Sequence, residues 1–464
     1  MGQLCGLFSH PAATGRPIER DRDAPPANDG SQPRAPGARP RRGLTRAVPG
    51  ETDGARAPGA LAWLAFGFAV AFFCYAFLQR VAPAVMVSDL MRDFAVGGAV
   101  LGNLSAFYFY AYAALQIPVG LLLDRFGPRR LMMGAALVCA AGSFVFAVAD
   151  QLVVAYAGRL LIGAGCAISF VGALAVATTW FPARRFAMLT GTAQAGAMAG
   201  AVLGAAPLAA LLQTTGWRTV MLGAAALSAS LAVAMWLTAR DGPPARRSTV
   251  GLAGALKVVA SNPQTWLAAG FGFFITGPML AFTSLWGASY LQAVYGLDRP
   301  TAAGAVSLSF VGWGLCAPLI GLLSDRLGAR RPIMIVGSML SFCTNAAIIW
   351  LTDLSLVAIS AVLLINGAVS CCMLLNFVCA KEHNPPWASG AAIGFSNTAV
   401  MLSGAILQPV IGLLLDLNWQ GAVVDGARVY DAATFRTALS ILPICSIVAV
   451  AMAWILREPP RPPQ

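Results

Sequence analysis

Two arginines, Arg80 and Arg159, are the only ionisable side chains that fall well inside the long apolar runs of this 464-residue sequence. A guanidinium presents five N–H donors in a planar fork that matches a carboxylate, so an arginine at such depth is suited to holding a small anion. No aspartate or glutamate lies as deep, which leaves nothing in the runs to receive a cation. Arg80 has a second reading, as a side chain snorkelling to the outer interface, and Arg159 divides between a structural staple and a second anion contact. Tyr108, Tyr112 and Gln116 recur at i, i+4 and i+8 on one helix face. Tyrosine hydroxyls are out of place against lipid, so that face is expected to turn inward, toward neighbouring helices or a cavity. Trp286, Asn366, Asn376, Asn397 and Gln408 could hydrogen-bond the hydroxyl or amide groups of a substrate, or glue helices together.

The elements that position these residues follow from composition. With 58% hydrophobic and 11% charged residues and a mean hydropathy of +0.71, the chain lies outside the range of soluble domains. Apolar runs long enough to cross a hydrocarbon core of about 30 Å cover 60–86, 97–122, 131–149, 152–178, 187–213, 217–239, 265–292, 301–323, 332–351, 354–379, 389–415 and 434–456. The expected fold is therefore all-α integral membrane with twelve transmembrane helices. A β-barrel is excluded because the runs do not alternate polar and apolar residues.

Basic residues gather in alternate loops, which places both termini in the cytoplasm by the positive-inside rule. Residues 1–59 are rich in Pro, Gly and Arg, without an apolar segment or a myristoylation pattern, and read as a disordered basic cytoplasmic tail. The tail accounts for part of the net charge of +12 without invoking nucleic acid. Nine of ten cysteines lie in or beside apolar runs and only two histidines are present, His10 and His383, so neither disulfide nor metal site is expected.

The stretch GLLLDRFGPRR, Gly120 to Arg130, returns as GLLSDRLGARR, Gly321 to Arg331, and a shorter echo, GLLLD, closes at Asp416. Six helices, a connection and six more helices amount to a two-fold duplication. The expected plan is a bundle over 60–239, a linker over 240–264, a second bundle over 265–456 and a short tail over 457–464. In this arrangement the sequence resembles the major facilitator superfamily of secondary transporters, whose loop after helix two has the pattern G-x-L-x-D-R-x-G-R/K-R/K. RLLIGAG, Arg159 to Gly165, is similar to the family's helix-four motif. The resemblance implies two pseudo-symmetric six-helix bundles that rock around a central site. It also implies gating roles for Gly120, Asp124, Arg125, Gly127, Arg129 and Arg130 and for Gly321, Asp325, Arg326, Gly328, Arg330 and Arg331. In that reading Gly120 lets helix two approach its neighbour, Asp124 accepts from a facing helix N-terminus or a basic side chain, and the arginines hold the loop inside.

A narrower likeness is to the sugar-acid and organic-anion symporters. They are similar in carrying a helix-one arginine that holds the substrate carboxylate, here Arg80, and a second helix ending in QIPxG, here Gln116 to Gly120. Substrate contacts are then expected from Arg80, Tyr108, Tyr112, Gln116, Arg159, Trp286, Asn376 and Asn397. The chain departs from those relatives at Gln79 and Cys166, where several carry proton-transferring carboxylates, so proton symport loses support and a uniporter or exchanger gains it. No nucleotide-binding loop, HExxH or GxSxG is present, so neither an enzyme nor an ATP-driven pump is expected, and no cofactor. The expected partners are a small-molecule solute, such as a carboxylate, sugar acid, amino acid or short peptide, and the lipid of a bacterial inner membrane, with the chain a monomer. The competing readings are an exporter of lipophilic or cationic compounds, hinted at by GAVLGAAP at Gly200 to Pro207, and a transporter-like sensor.

Overall fold

The computed structural model describes residues 59–238 and 251–458. The remainder of the expected tails and the first part of the expected linker lie outside the described residues. Twelve helices carry the architecture: α1 (Ala60–Val85), α2 (Gly98–Gln116), α3 (Arg125–Ala147), α4 (Leu152–Trp180), α5 (Met188–Thr215), α6 (Trp217–Thr238), α7 (Pro263–Tyr295), α8 (Arg299–Leu327), α9 (Arg331–Trp350), α10 (Leu356–Glu382), α11 (Pro386–Leu417) and α12 (Ala432–Ile455). Eleven are long and apolar enough to cross a bilayer alone; α2 reaches that standard only with the short helix Val87–Phe94, which is bent 112° from it. The polarity of α2 comes from Asn103, Tyr108, Tyr110 and Tyr112.

Local chemistry fixes the breaks. Pro83 removes an N–H from the ladder, and α1 finishes as a 3-10 turn over Ala82–Val85. Pro278 precedes a π-helical segment, Phe282–Trp286, inside α7. Asp298 caps α8 by accepting from the Thr301 amide. The repeated loop has a backbone reason for one of its glycines: Gly127 and Gly328 occupy positive φ values of 73° and 58°. A side chain at either site would be strained.

The helices form two six-helix bundles, α1–α6 and α7–α12. In the first, α3 packs on α4 and α6, and α1 on α5. In the second, α8 packs on α10, and α12 on α7 and α9. Across the divide α2 runs along α11, and α5 along α8. One rim carries the two repeated loops and is called the motif face. The other carries a β-hairpin of β1 (Val423–Val424) and β2 (Ala427–Arg428) and is called the hairpin face.

Backbones within a bundle approach very closely. A Cβ on Gly312 of α8 would overlap the Leu364 carbonyl oxygen of α10, and one on Gly367 would overlap that of Ser309. Gly312→Ala is expected to destabilise the second bundle by about 3 kcal/mol, because backbone rather than a flexible side chain must give way. Thermal unfolding in detergent reads the effect; an unchanged midpoint would show that the helices separate freely.

Gly120 makes no close helix approach in this structure. A Cβ there would meet nothing within 4 Å among the described residues, and the same holds at Gly321. The close helix approach lies on the opposite rim, where Gly98 of α2 meets Gly412 of α11.

Candidate functional site

Arg80 sits one turn before the 3-10 end of α1 and is 5% exposed, so it is buried and does not snorkel. Its Cζ lies 4.2 Å from the Phe77 ring centroid, 5.2 Å from Tyr112 and 5.8 Å from Tyr108. Arg159 of α4 is 1% exposed and approaches the same Tyr108 ring at 5.2 Å. Its Nη1 donates to the Gln79 carbonyl at 3.1 Å. Arg80 Nε, Arg159 Nε and Arg159 Nη2 have no hydrogen-bond partner. Neither guanidinium is in an ion pair among the described residues.

Magnitudes decide what this means. A desolvated cation–π contact contributes about 2 kcal/mol, whereas an uncompensated buried charge costs several kcal/mol. The rings therefore offset only part of the desolvation, and the pair is poised to gain from an anion.

Gln79 and Cys166, where the likeness to organic-anion symporters would expect acids, are neutral groups in neutral company. Gln79 Nε2 donates to the Tyr75 hydroxyl at 2.6 Å and to Ser143 Oγ at 3.0 Å, while Cys166 Sγ lies 3.4 Å from Cys139 Sγ. Tyr108 donates to the Ala76 carbonyl at 3.1 Å.

The second bundle contributes unevenly. Asn376 of α10 is fully buried with both Nδ2 and Oδ1 unpartnered, which leaves its amide free for a ligand. Asn366 is committed inside its bundle to Thr344 and Asn345. Asn397 donates to Gln116 Oε1 at 2.5 Å across the divide, while Gln116 Nε2 has no hydrogen-bond partner among the described residues. Trp286 donates to the Gln408 carbonyl at 3.0 Å and lines a cavity on the hairpin face.

The motif loops are held locally. Arg129 donates to the Trp236 carbonyl at 2.9 Å and stacks on its ring, and Gly127 shapes the turn. Arg330 pairs with Asp325 at 2.9 Å and Glu382 at 3.2 Å, and Arg331 donates to the Trp454 carbonyl. Those two carboxylates outweigh the desolvation of Arg330 and raise its pKa. The Asp124 side chain lies outside the described residues. Arg125 stacks on Phe126, and Arg130 and Arg326 are exposed.

The hairpin face holds contacts that the sequence reading missed. Asp416, the last residue of the GLLLD echo, accepts from the Gly98 and Ala99 amides at 2.9 Å each, Tyr430 at 2.6 Å and Arg428 at 3.1 Å. A carboxylate thus sits at the N-terminus of α2, where orphan amides and the helix dipole favour negative charge. Arg299, at the start of α8, bridges the bundles through Asp89 and Ser88 at 2.8 Å each. Trp217 and Arg218 of α6 tie down Asp93. Although burial opposes it, those hydrogen bonds and one from Arg92 hold the Asp93 carboxyl below its ordinary value. That contribution is present above the ordinary carboxylate pKa and is lost only as pH falls through the lowered value.

A family model described as the Major Facilitator Superfamily matches residues 68–409 and again 314–464. The chain belongs to this superfamily. As a major facilitator it is a membrane transporter, not an enzyme. Its relatives include the "Nitrite extrusion protein" of Bacillus subtilis, 25% identical over 56% of this chain. That alignment spans 65% of the relative's length. The "Probable sulfoacetate transporter" of Cupriavidus necator is 23% identical over 74% of this chain and 84% of its own. The "Multidrug resistance protein Stp" of Mycobacterium tuberculosis is 24% identical over 75% of each. Among solved structures, a bacterial homologue of the human lysosomal transporter Spinster superposes with a TM-score of 0.72 at 16% identity, covering 84% of this chain and 96% of that one, which supports the fold alone.

The Asp416 cap joins α11 of the second bundle to α2 of the first and so holds the hairpin face in the closed arrangement seen here. Asp416→Asn removes the charge but keeps the shape. It is expected to weaken that closed state by about 2 kcal/mol, roughly thirtyfold in population. Amide hydrogen exchange at Gly98 and Ala99 should quicken accordingly; unchanged protection would mean the cap is incidental.

Proposed function

We propose that this major facilitator carries a small organic anion, a carboxylate, sulfonate or sugar acid, by alternating access. The observation that supports the reading is the pair of buried guanidiniums around Tyr108, with donors unpaired and no carboxylate to neutralise them. Arg80 takes the anionic group, Arg159 adds a second charge, and Tyr112 and Asn376 supply hydrogen bonds to the rest of the solute. Gln116, Asn397 and Trp286 act at one remove, by joining or bracing helices. We place the motif face in the cytoplasm of a bacterial inner membrane, with both ends of the chain on that side, the chain as a monomer, and the repeated loops as gating elements of the opposite state. The hairpin face is then the outer, closed one.

The same charges bear on coupling. An empty carrier would have to reorient with two uncompensated cations, while a loaded one has them neutralised, and Gln79 and Cys166 offer no proton carrier in compensation. Exchange of one anion for another is the economical cycle.

Export of lipophilic compounds is the second reading, supported by the long alignment with the multidrug resistance protein. One experiment separates the two: thermal shift of purified protein against small carboxylates and sulfonates in one panel and lipophilic cations in the other. A ligand selective for the folded state stabilises it by about 2.7 kcal/mol at a hundred times Kd. Stabilisation by anions, with uptake into proteoliposomes that is faster when they are preloaded, is expected. Stabilisation by cations alone would overturn the anion reading.

A further inference from the structure

A cavity of about 260 Å³ opens on the hairpin face, away from the rings around Arg80. Both bundles contribute to its wall: Ser88 from the first, and Arg299, Gln292, Arg428 and Phe435 from the second, with Trp286 beside them. Its two cations are Arg299, which bridges the bundles, and Arg428, which pairs with Asp416 inside the second bundle, and each keeps donors to spare. Arg299 spends Nη1 on Asp89 and Nη2 on Ser88. Arg428 spends Nη1 on Asp416 while its Cζ stacks 4.4 Å from the Trp419 ring centroid. Five N–H groups per guanidinium leave hydrogens unused on both. Asp89 is further shared with Arg92 at 3.5 Å, and Arg92 pairs with Asp93 at 3.0 Å; among the residues lining the cavity the charged ones are the two arginines, Arg299 and Arg428.

We propose that this cavity is a second anion site, an antechamber that takes a small carboxylate or sulfonate before the gate opens. The bound anion competes with Asp89 for Arg299, and so loosens the ion pair that bridges the bundles at this face. The volume suits a solute of a few heavy atoms, below the usual range for drug-sized ligands. The inference rests on the reading that the cargo is an anion, but it concerns different residues from the central pair, so the two can fail separately.

Equilibrium dialysis of labelled tartrate, sulfoacetate and glucarate against the full chain in detergent tests it, with the Arg80→Ala protein used to silence the central site. Gln292→Glu is the diagnostic change, because Gln292 donates only to Ala288 of its own helix and holds no part of the gate. A carboxylate there should weaken antechamber binding about tenfold or more by like-charge repulsion. The expected result is one anion bound per chain in Arg80→Ala, lost in Arg80→Ala with Gln292→Glu. Amide exchange at Gly98 and Ala99 should quicken on anion addition only where Gln292 is intact. The proposal is overturned if Arg80→Ala binds none of the three anions, or binds them equally with glutamate at 292. Binding that ignores Arg80 yet is lost with Gln292→Glu would keep the antechamber and sink the central-site reading.

Discussion

Anion uptake by the Arg80→Ala protein is expected to fall at least a hundredfold, while the protein without ligand unfolds no more readily than the wild type. Losing one partner of a desolvated charge pair costs about 2–5 kcal/mol in binding, and the upper part of that range applies where a fork meets a carboxylate. The second half of the expectation is the more diagnostic. Arg80 is buried against Phe77, Tyr108 and Tyr112 without an acidic partner. Its removal therefore relieves an unmatched charge instead of breaking a salt bridge. A structural arginine would give the opposite sign. Arg80→Lys should restore little, since an ammonium supplies the charge but not the planar pair of donors. Thermal unfolding with and without the anion, beside uptake into proteoliposomes, checks both halves. A strongly destabilised Arg80→Ala protein would reassign Arg80 to the scaffold.

The second large effect is expected at Gly412. A Cβ on this residue would collide with the Gly98 carbonyl oxygen across the divide between bundles. Gly412→Val should push α11 from α2 by overpacking worth about 1–3 kcal/mol or more, and the Asp416 cap lies one turn further along. The collision differs from that at Gly312 in what can move. Gly312 faces its own bundle, so the fold must absorb the strain; Gly412 faces the other bundle, which can swing away. Transport should therefore stop while folding and anion binding survive, with the first-turn amides of α2 exchanging freely. Loss of folding at Gly412 equal to that at Gly312 would mean that the two bundles behave as one body.

The twelve apolar runs and the duplicated loop were legible in the sequence because hydropathy and repetition are local properties. Arg80 and Arg159 were legible too, as charges in apolar surroundings. The contacts of the hairpin face were not. Asp416 and Gly98 are 318 residues apart in the chain, and nothing in either neighbourhood announces the other. The available signal was the GLLLD echo, whose final acid stands at the far end of a helix from the motif it repeats. Gln116 and Asn397 meet one another across the divide, 281 residues apart in the chain. A Cβ on Gly120 would meet no neighbour within 4 Å in this structure, and the latch expected of its loop belongs to the opposite state.

α2 carries a consequence for how the chain is made. Tyr108 and Tyr112 stand beside Arg80, and with Asn103 and Tyr110 they make the helix Gly98–Gln116 less apolar than the other eleven. During synthesis each segment leaving the ribosome is sorted by its own preference for lipid, and here that preference is marginal. Entry as a hairpin with α1, or packing against α4 as soon as that helix emerges, would cover the polar face of α2. The polar side chains of α2 thus bear on assembly as well as on the interior, and a substitution that adds another polar group to α2 is expected to be felt first as a loss of protein in the membrane.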